Sequence, residues 1–359
     1  MEMSASSIPV RLAVLVLLYE GKDITAQLAP YVRSFSFTDN SHGKADDLQV
    51  TLEDRDHLWK GDWYPGKGAT LTASLRCEQW DAPDAPPVVM RCGTFTIDEV
   101  ELSGPPDTVT IKAVSAAMTK SLRQERKTKA WENASLEQVA RDVADAHGLT
   151  LRYDGPEFQF TRMDQRETSD LGFLKRMAEE RGMCLKVAED SIVLMSGKGY
   201  DAKAPVKTLR RGETAIKSFR FKEKTDGVYG GGAEVNYHDP VTKQGRTYAF
   251  DNALSGQRQT YVKGAKSKKG GDKLKVNRRI DAKDDGIEIV KAECRDKNKD
   301  EFEGSLTLMG DPDLRAAMTV DVAGFLRFDA TYFIETATHS FDRSSGYTTE
   351  ISIRKTLDY

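Results

Sequence analysis

The chain has 359 residues, long enough for about two ordinary domains. Its 39% apolar and 30% charged residues exclude a disordered chain, and 53 Lys and Arg against 56 Asp and Glu, a net charge of −3, exclude a dedicated nucleic-acid binder working by phosphate neutralisation. Four cysteines (Cys77, Cys92, Cys184, Cys294) stand far apart with no CxxC pair, which predicts reduced, buried thiols and neither a zinc site nor a disulfide framework.

The first apolar run, Leu12 to Leu18, is far shorter than the roughly 20 residues that span a bilayer. Arg11 precedes it as in a signal peptide, but Tyr19-Glu20-Gly21-Lys22-Asp23 offers no small-residue cleavage site. A buried strand is expected instead, with Val10, Leu12, Val14, Val16 and Leu18 on one face. Alternating segments follow at Arg33–Phe37, Leu48–Leu52, Thr70–Leu75, Phe95–Leu102 and Val109–Ala113, with a Gly104-Pro105-Pro106-Asp107 turn before the last. Short strands between Gly, Pro and Asp turns predict a β-barrel over residues 1–118.

The period then changes, and residues 119–210 are expected to form a small α+β domain. Ser135 and Gln138 make a capping box ahead of the stripe Leu136, Val139, Ala140, Val143 and Ala144, and Gly148 stops that helix. Leu149–Tyr153 is a strand. A second helix starts at the Ser169 cap, buries Leu171, Leu174, Met177 and Ala178, and ends at Gly182. Cys184–Val187 and Ile192–Met195 flank Glu189-Asp190-Ser191 as a hairpin.

From 211 to 359 the pattern returns to strands, at Ser218–Phe221, Glu234–Tyr237, Ser305–Leu308, Met318–Val322, Tyr332–Ala337 and Thr349–Ile353. Residues 262–279 are rich in Lys and Gly and read as a solvated loop. The last four strands of this region parallel Leu48–Leu52, Leu71–Ala73, Phe95–Val100 and Val109–Ile111 in order. A duplicated barrel around an α+β piece is therefore expected.

Chemistry is sparse. There is no GxSxG, HExxH, Walker A or GxGxxG, and His42, His57, His147, His238 and His339 are scattered without ligand spacing. His57 among Glu53, Asp54 and Asp56 reads as a solvated turn residue. Asp39, Asp46, Asp47, Asp54 and Asp56 lack the alternation of a calcium loop. Gly230-Gly231-Gly232 precedes a strand, which suits a close backbone approach better than a phosphate cradle. No catalytic, cofactor or metal residues are assigned. Trp59, Trp63 and Tyr64 cluster in one turn region and are the candidate interface residues, although core lids have the same composition.

Several segments resemble the late-control protein D family of contractile phage tails. They are Gly21–Thr25, Phe37–Asn40, Ala45–Leu48, Leu52–Asp56 and Trp63–Gly68. Glu167–Gly182, with Ser169-Asp170-Leu171, Phe173-Leu174 and Ala178-Glu179-Glu180, is similar to a signature shared with the hub part of type VI secretion spike proteins. Tyr332–Ile334, His339–Asp342 and Gly346–Thr349 resemble the same family's closing strands.

The resemblance implies a structural baseplate hub of a contractile tail or related injection particle. Two barrels per chain in a homotrimer would make a pseudo-sixfold ring between the tail tube above and a separate spike protein below, alongside other baseplate proteins. Because the sequence stops at Tyr359, soon after the second barrel, the needle is expected on another polypeptide. The resemblance implies assembly in the bacterial cytoplasm into a tail or tail-like particle, without membrane insertion or a specific nucleic acid. The competing readings are a peptidoglycan-binding or peptidoglycan-degrading tail-tip protein, since Ser135–Tyr153 is distantly similar to half of a LysM module, and a free receptor-binding protein.

Overall fold

A computed structural model describes residues 11–80, 82, 84–117, 119–188, 190–238, 245–250, 272–277 and 285–359. Most of the Lys/Gly-rich segment 262–279 lies outside the described residues.

The first β unit consists of β1 (Leu12–Tyr19), β2 (Lys22–Asp23), the short helix α1 (Thr25–Leu28), β3 (Val32–Asn40), β4 (Asp47–Glu53), β5 (Thr70–Glu78), β6 (Val88–Ser103) and β7 (Thr108–Ser115). Alternation does the sorting: Leu48, Val50 and Leu52 of β4 are buried between exposed or half-buried neighbours, and with Phe35, Phe37, Leu75 and Phe95 they build one core.

The α+β piece holds α2 (Lys120–Gln124), β8 (Arg126–Ser135), α3 (Leu136–Ala146), β9 (Thr150–Asp154), β10 (Gln159–Ser169), α4 (Asp170–Glu179), β11 (Met183–Val187), β12 (Ser191–Ser196) and α5 (Gly197–Asp201). Both helix starts follow the sequence: Ser135 Oγ accepts from Gln138 N at 3.1 Å and Ser169 Oγ from Gly172 N at 3.2 Å. The buried stripe of α4 is Phe173, Leu174, Met177 and Ala178, with Leu171 only partly covered. The hairpin β11/β12 is present, and β9 pairs parallel to β12. The antiparallel pair β8/β10 carries no alternation that the sequence made visible.

The second β unit holds β13 (Thr208–Arg210), β14 (Ile216–Glu223), β15 (Ala233–His238), β16 (Gly245–Phe250), β17 (Leu274–Val276), α6 (Asp285–Asn298), β18 (Phe302–Met309), β19 (Thr319–Ala323), β20 (Ala330–Asp342) and β21 (Gly346–Lys355). Strands β15 to β17 and α6 form a satellite with its own small core of Ala233, Val235, Ile289, Val290 and Cys294. Leu274 N donates to Gly232 O at 2.9 Å, so the triglycine sits at a close backbone approach.

The duplication is visible in the pairing. The first unit runs β3-β4-β7-β6-β5-β1 and the second β14-β18-β21-β20-β19-β13, the same order taken in the same chain sequence. Only the last pair differs, β1/β5 being antiparallel and β13/β19 parallel. The fold is thus mainly β, with two similar barrel-like units flanking the α+β piece, and β20 pairs with β3 to fuse the units into one 13-stranded sheet.

One local expectation is corrected. Strand β1 is not fully buried: Leu17 is, but Leu12 is 49% exposed, because β1 has β5 on one side and pairs with β2 only at Leu18 and Tyr19 on the other.

Candidate assembly interface

The seam between the units is built from residues of one sequence type, a strand with aromatics on its inner face. Pairing runs from Thr336 opposite Asn40 to Asp342 opposite Ser34. His339, wholly buried, stacks on Phe37 with ring centroids 6.2 Å apart and planes at 18°. Its Nε2 donates to Leu314 O at 3.0 Å; a carbonyl can only accept, so Nδ1 accepts from Tyr347 Oη at 2.7 Å. Burial pushes the His339 pKa down to about 4, and the ring is a neutral strut.

A carboxylate ties all three parts together at this seam. Asp39 Oδ1 accepts from Lys186 Nζ of β11 at 2.5 Å, and Asp39 Oδ2 accepts from Ala316 N of the second unit at 3.1 Å. Lys186 also lies 3.5 Å from Asp46, whose pKa burial pushes up to about 6 against the pull of the lysine. The spike-like signature in α4 serves the same docking. Asp170 accepts from Lys127 at 2.7 Å and from His147 at 2.8 Å inside the α+β piece, while Lys175 donates to Gly43 O at 3.2 Å across to the first unit. Behind them, buried Asp201 accepts from Arg354 Nη1 at 3.0 Å, from Leu357 N at 2.9 Å and from Arg295, which joins α5, α6 and the chain after β21.

The three aromatics expected to mark an interface divide. Asp54 Oδ1 accepts from Trp59 N at 3.0 Å and folds the turn so that Trp59, 5% exposed, enters the first core. Trp63 and Tyr64 stay outside at 38% and 44% exposure, and Trp63 meets Trp59 edge-on at 5.5 Å. The turn closes a cleft of about 480 Å³ lined by Leu17, Ile24, Leu52, Trp59, Trp63 and Leu71. His57 is an exposed residue at φ 57°, 3.5 Å from Asp107. Of the aspartates, only Asp39 and Asp46 converge, and Lys186 sits between them. Among the described residues no group of three or more His, Cys, Asp or Glu is placed to hold a metal. No described helix is long and apolar enough to cross a membrane.

The sequence reading missed the free strand edges. Among the described residues, β14 at one end of the sheet pairs only with β18. In the middle of the sheet, β6 pairs with β5 through Thr96 and then, from Glu99 to Ser103, with β7 alone among the described residues. The signal was a repeat: Val32-Arg33-Ser34-Phe35-Ser36-Phe37 in β3 recurs as Ile216-Lys217-Ser218-Phe219-Arg220-Phe221 in β14. Phe35 and Phe37 are each 1% exposed, whereas Phe219 is 47% exposed.

Comparison with known proteins follows this architecture. The chain is 25% identical over 374 residues to a probable baseplate hub protein of Escherichia phage 186, covering 95% of this chain and 92% of that protein. The chain resembles phage baseplate hub proteins over nearly its whole length. A probable baseplate hub protein of Escherichia phage P2 is 29% identical over 222 residues, 60% of this chain and 54% of the relative. Among solved structures, the 43 kDa tail protein of prophage MuSo2 from Shewanella oneidensis superposes with a TM-score of 0.69 at 15% identity, over 96% of this chain and 98% of that one. A component of the Escherichia coli type VI secretion system does so at 0.53 and 12% identity, over 90% and 73%. No family model matches the chain.

Proposed function

We propose that this protein is a structural baseplate hub of a contractile phage tail or related injection particle. It would act as a homotrimer whose two β units per chain offer six similar positions to the tail tube and three to a central spike. The observation that carries the reading is the shared strand order of the two units and their edge-to-edge fusion through β20 and β3. A chain that already joins two equivalent units in one sheet holds one step of a ring, and three chains repeat it six times. The hub name of the phage 186 and P2 relatives supports the same role.

In this reading Trp63 and Tyr64 contact a neighbouring baseplate, tube or spike protein, while Trp59 holds their turn in place. The chain would be assembled in the bacterial cytoplasm and end in the particle's baseplate. The buried carboxylates and histidines serve as struts between parts, so no enzymatic step is assigned to them.

The test is co-assembly. Purified chain mixed with the tube and spike proteins of the same particle should bind both, and a particle made without it should lack its baseplate. Normal particles without the chain, or peptidoglycan hydrolysis by it, would contradict the hub and favour the tail-tip reading.

A further inference from the structure

We infer that a second copy of this chain lays its β14 against the free half of β6, carrying the sheet from one subunit to the next in the register that joins the two units within a chain. This deepens the trimeric hub reading and rests on it.

The two units can be aligned residue by residue at this point. In the second, Ile334 N donates to Met318 O at 2.8 Å and Ala317 N to Ile334 O at 3.0 Å. In the first, Ile97 N donates to Ala69 O at 2.9 Å and Gly68 N to Ile97 O at 3.0 Å. Ala317 and Gly68 share a left-handed backbone, at φ 64° and 82°. The pairing of β20 with β21 shifts between Ile334 and Thr336, and that of β6 with β7 shifts between Ile97 and Glu99. A bulge at the same place in both strands makes Ile97 the counterpart of Ile334. Beyond it β20 meets β3. Beyond it β6 keeps β7 on one side and meets no strand on the other among the described residues.

The other partner aligns as closely. The pairing of β3 with β4 shifts between Val32 and Ser34, and that of β14 with β18 shifts between Ile216 and Ser218, just before the repeated Phe-x-Phe. Thus β14 is the counterpart of β3, and β6 of β20. The contact made once inside the chain is available once more on its surface. The different burial of the two motifs accords with this: the Phe35 strand has β20 beside it, and the Phe219 strand has no strand on that side among the described residues.

Transferring the β20/β3 register sets Glu99 opposite Lys224, Glu101 opposite Lys222 and Leu102 opposite Phe221 of the second copy. The charges agree with that placement. Inside one chain Glu99 and Glu101 share Lys112, at 3.1 and 3.5 Å, while Lys222 and Lys224 share Glu303, at 4.0 and 3.1 Å, and Lys224 also lies 4.0 Å from Asp300. Arg220 alternates onto the same face of β14, so one edge carries two carboxylates against one lysine and the other three cations against two carboxylates. Direct cross-strand pairing of opposite charges is favourable, and like charges directly opposite are unfavourable. The contact is head-to-tail, so copies either close into a ring or continue as a filament.

Ser41 N donates to Glu335 O at 2.9 Å, which places Thr338 and Thr38 in a non-hydrogen-bonded pair, where side chains approach most closely. Glu101 and Lys222 inherit that position, within reach of a disulfide. The full-length double variant Glu101→Cys with Lys222→Cys should therefore link into species of two and three chains on mild oxidation. Neither single variant should, nor should Glu101→Cys with Glu223→Cys, whose side chains would face opposite ways. Glu101→Lys should weaken self-association by roughly tenfold, and adding Lys222→Glu in the same chain should restore it. A non-covalent trimer by light scattering that fails to link at 101 and 222 would overturn this contact and leave the hub reading standing. Linkage into an open ladder beyond three chains would confirm the contact and overturn the ring. A monomer that never links would overturn both.

Discussion

The clearest handle on the seam is the proton that His339 does not carry. Burial against Phe37, with Nε2–H given to Leu314 O and the Arg315 charge nearby, disfavours the charged ring, and its pKa falls to about 4. In the unfolded chain a histidine titrates near 6.5, so as pH falls the unfolded state takes up the proton first. The stability held by the neutral ring is complete above about pH 6.5 and is lost through the window down to about 4. Linkage puts the loss at about 2 kcal/mol between pH 7.5 and 5, and about 3 kcal/mol by pH 4. Amide hydrogen exchange along β20 and β3 reads this locally, and protection there should fall by that free energy. In His339→Gln, which keeps a side-chain amide to donate to Leu314 O but cannot titrate, the seam should be weaker at pH 7.5 yet lose little more at pH 5. An equal pH-dependent loss in the variant and the parent would refute the assignment of the proton.

Asp46 should behave oppositely. Its pKa is raised to about 6 by burial, so the stability held by its neutral form is present at pH 4 and lost as pH rises through 6; Asp46→Asn should stabilise the chain by about 1–3 kcal/mol at pH 8 and hardly at all at pH 4, read by thermal melts. A destabilised variant at pH 8 would show that its charge is favourably paired. The repeated phenylalanines should separate by burial: Phe35→Ala should cost about 3–5 kcal/mol in denaturant unfolding, and Phe219→Ala about 1 kcal/mol or less in dilute solution while weakening self-association. Equal costs at both sites would mean that the β14 edge is already covered within one chain.

Much of the fold was legible because its signals are local. Ser135 and Ser169 cap helices where expected, Gly148 and Gly182 end them in left-handed backbone, and the β11/β12 hairpin closes over its polar turn. Strand β8, Arg-Lys-Thr-Lys-Ala-Trp-Glu-Asn-Ala-Ser, escaped because only Trp131 and Ala134 in it are buried. Helix α6 escaped beside the Lys-rich stretch although Ile289, Val290 and Cys294 keep helical spacing. The apolar run of β1 misled in another way: hydrophobicity does not say which part of a strand has neighbours, and Leu12 is half out because β2 pairs with β1 only at Leu18 and Tyr19. The candidate site was less legible. Nothing in the spacing of Trp59, Trp63 and Tyr64 tells which ring Asp54 will turn inward. The edges proposed to join were written in the Phe-x-Phe repeat, one copy of which has β20 beside it while the other has no neighbouring strand on that side among the described residues.

The most direct test of the account is the mass of the purified chain in solution, by light scattering across a concentration series and with the spike protein added. The account predicts a species of three times 40.0 kDa, appearing alone or on the spike, that imaging resolves as a ring of six similar lobes. A particle that stays at 40.0 kDa at every concentration and binds no spike would contradict it.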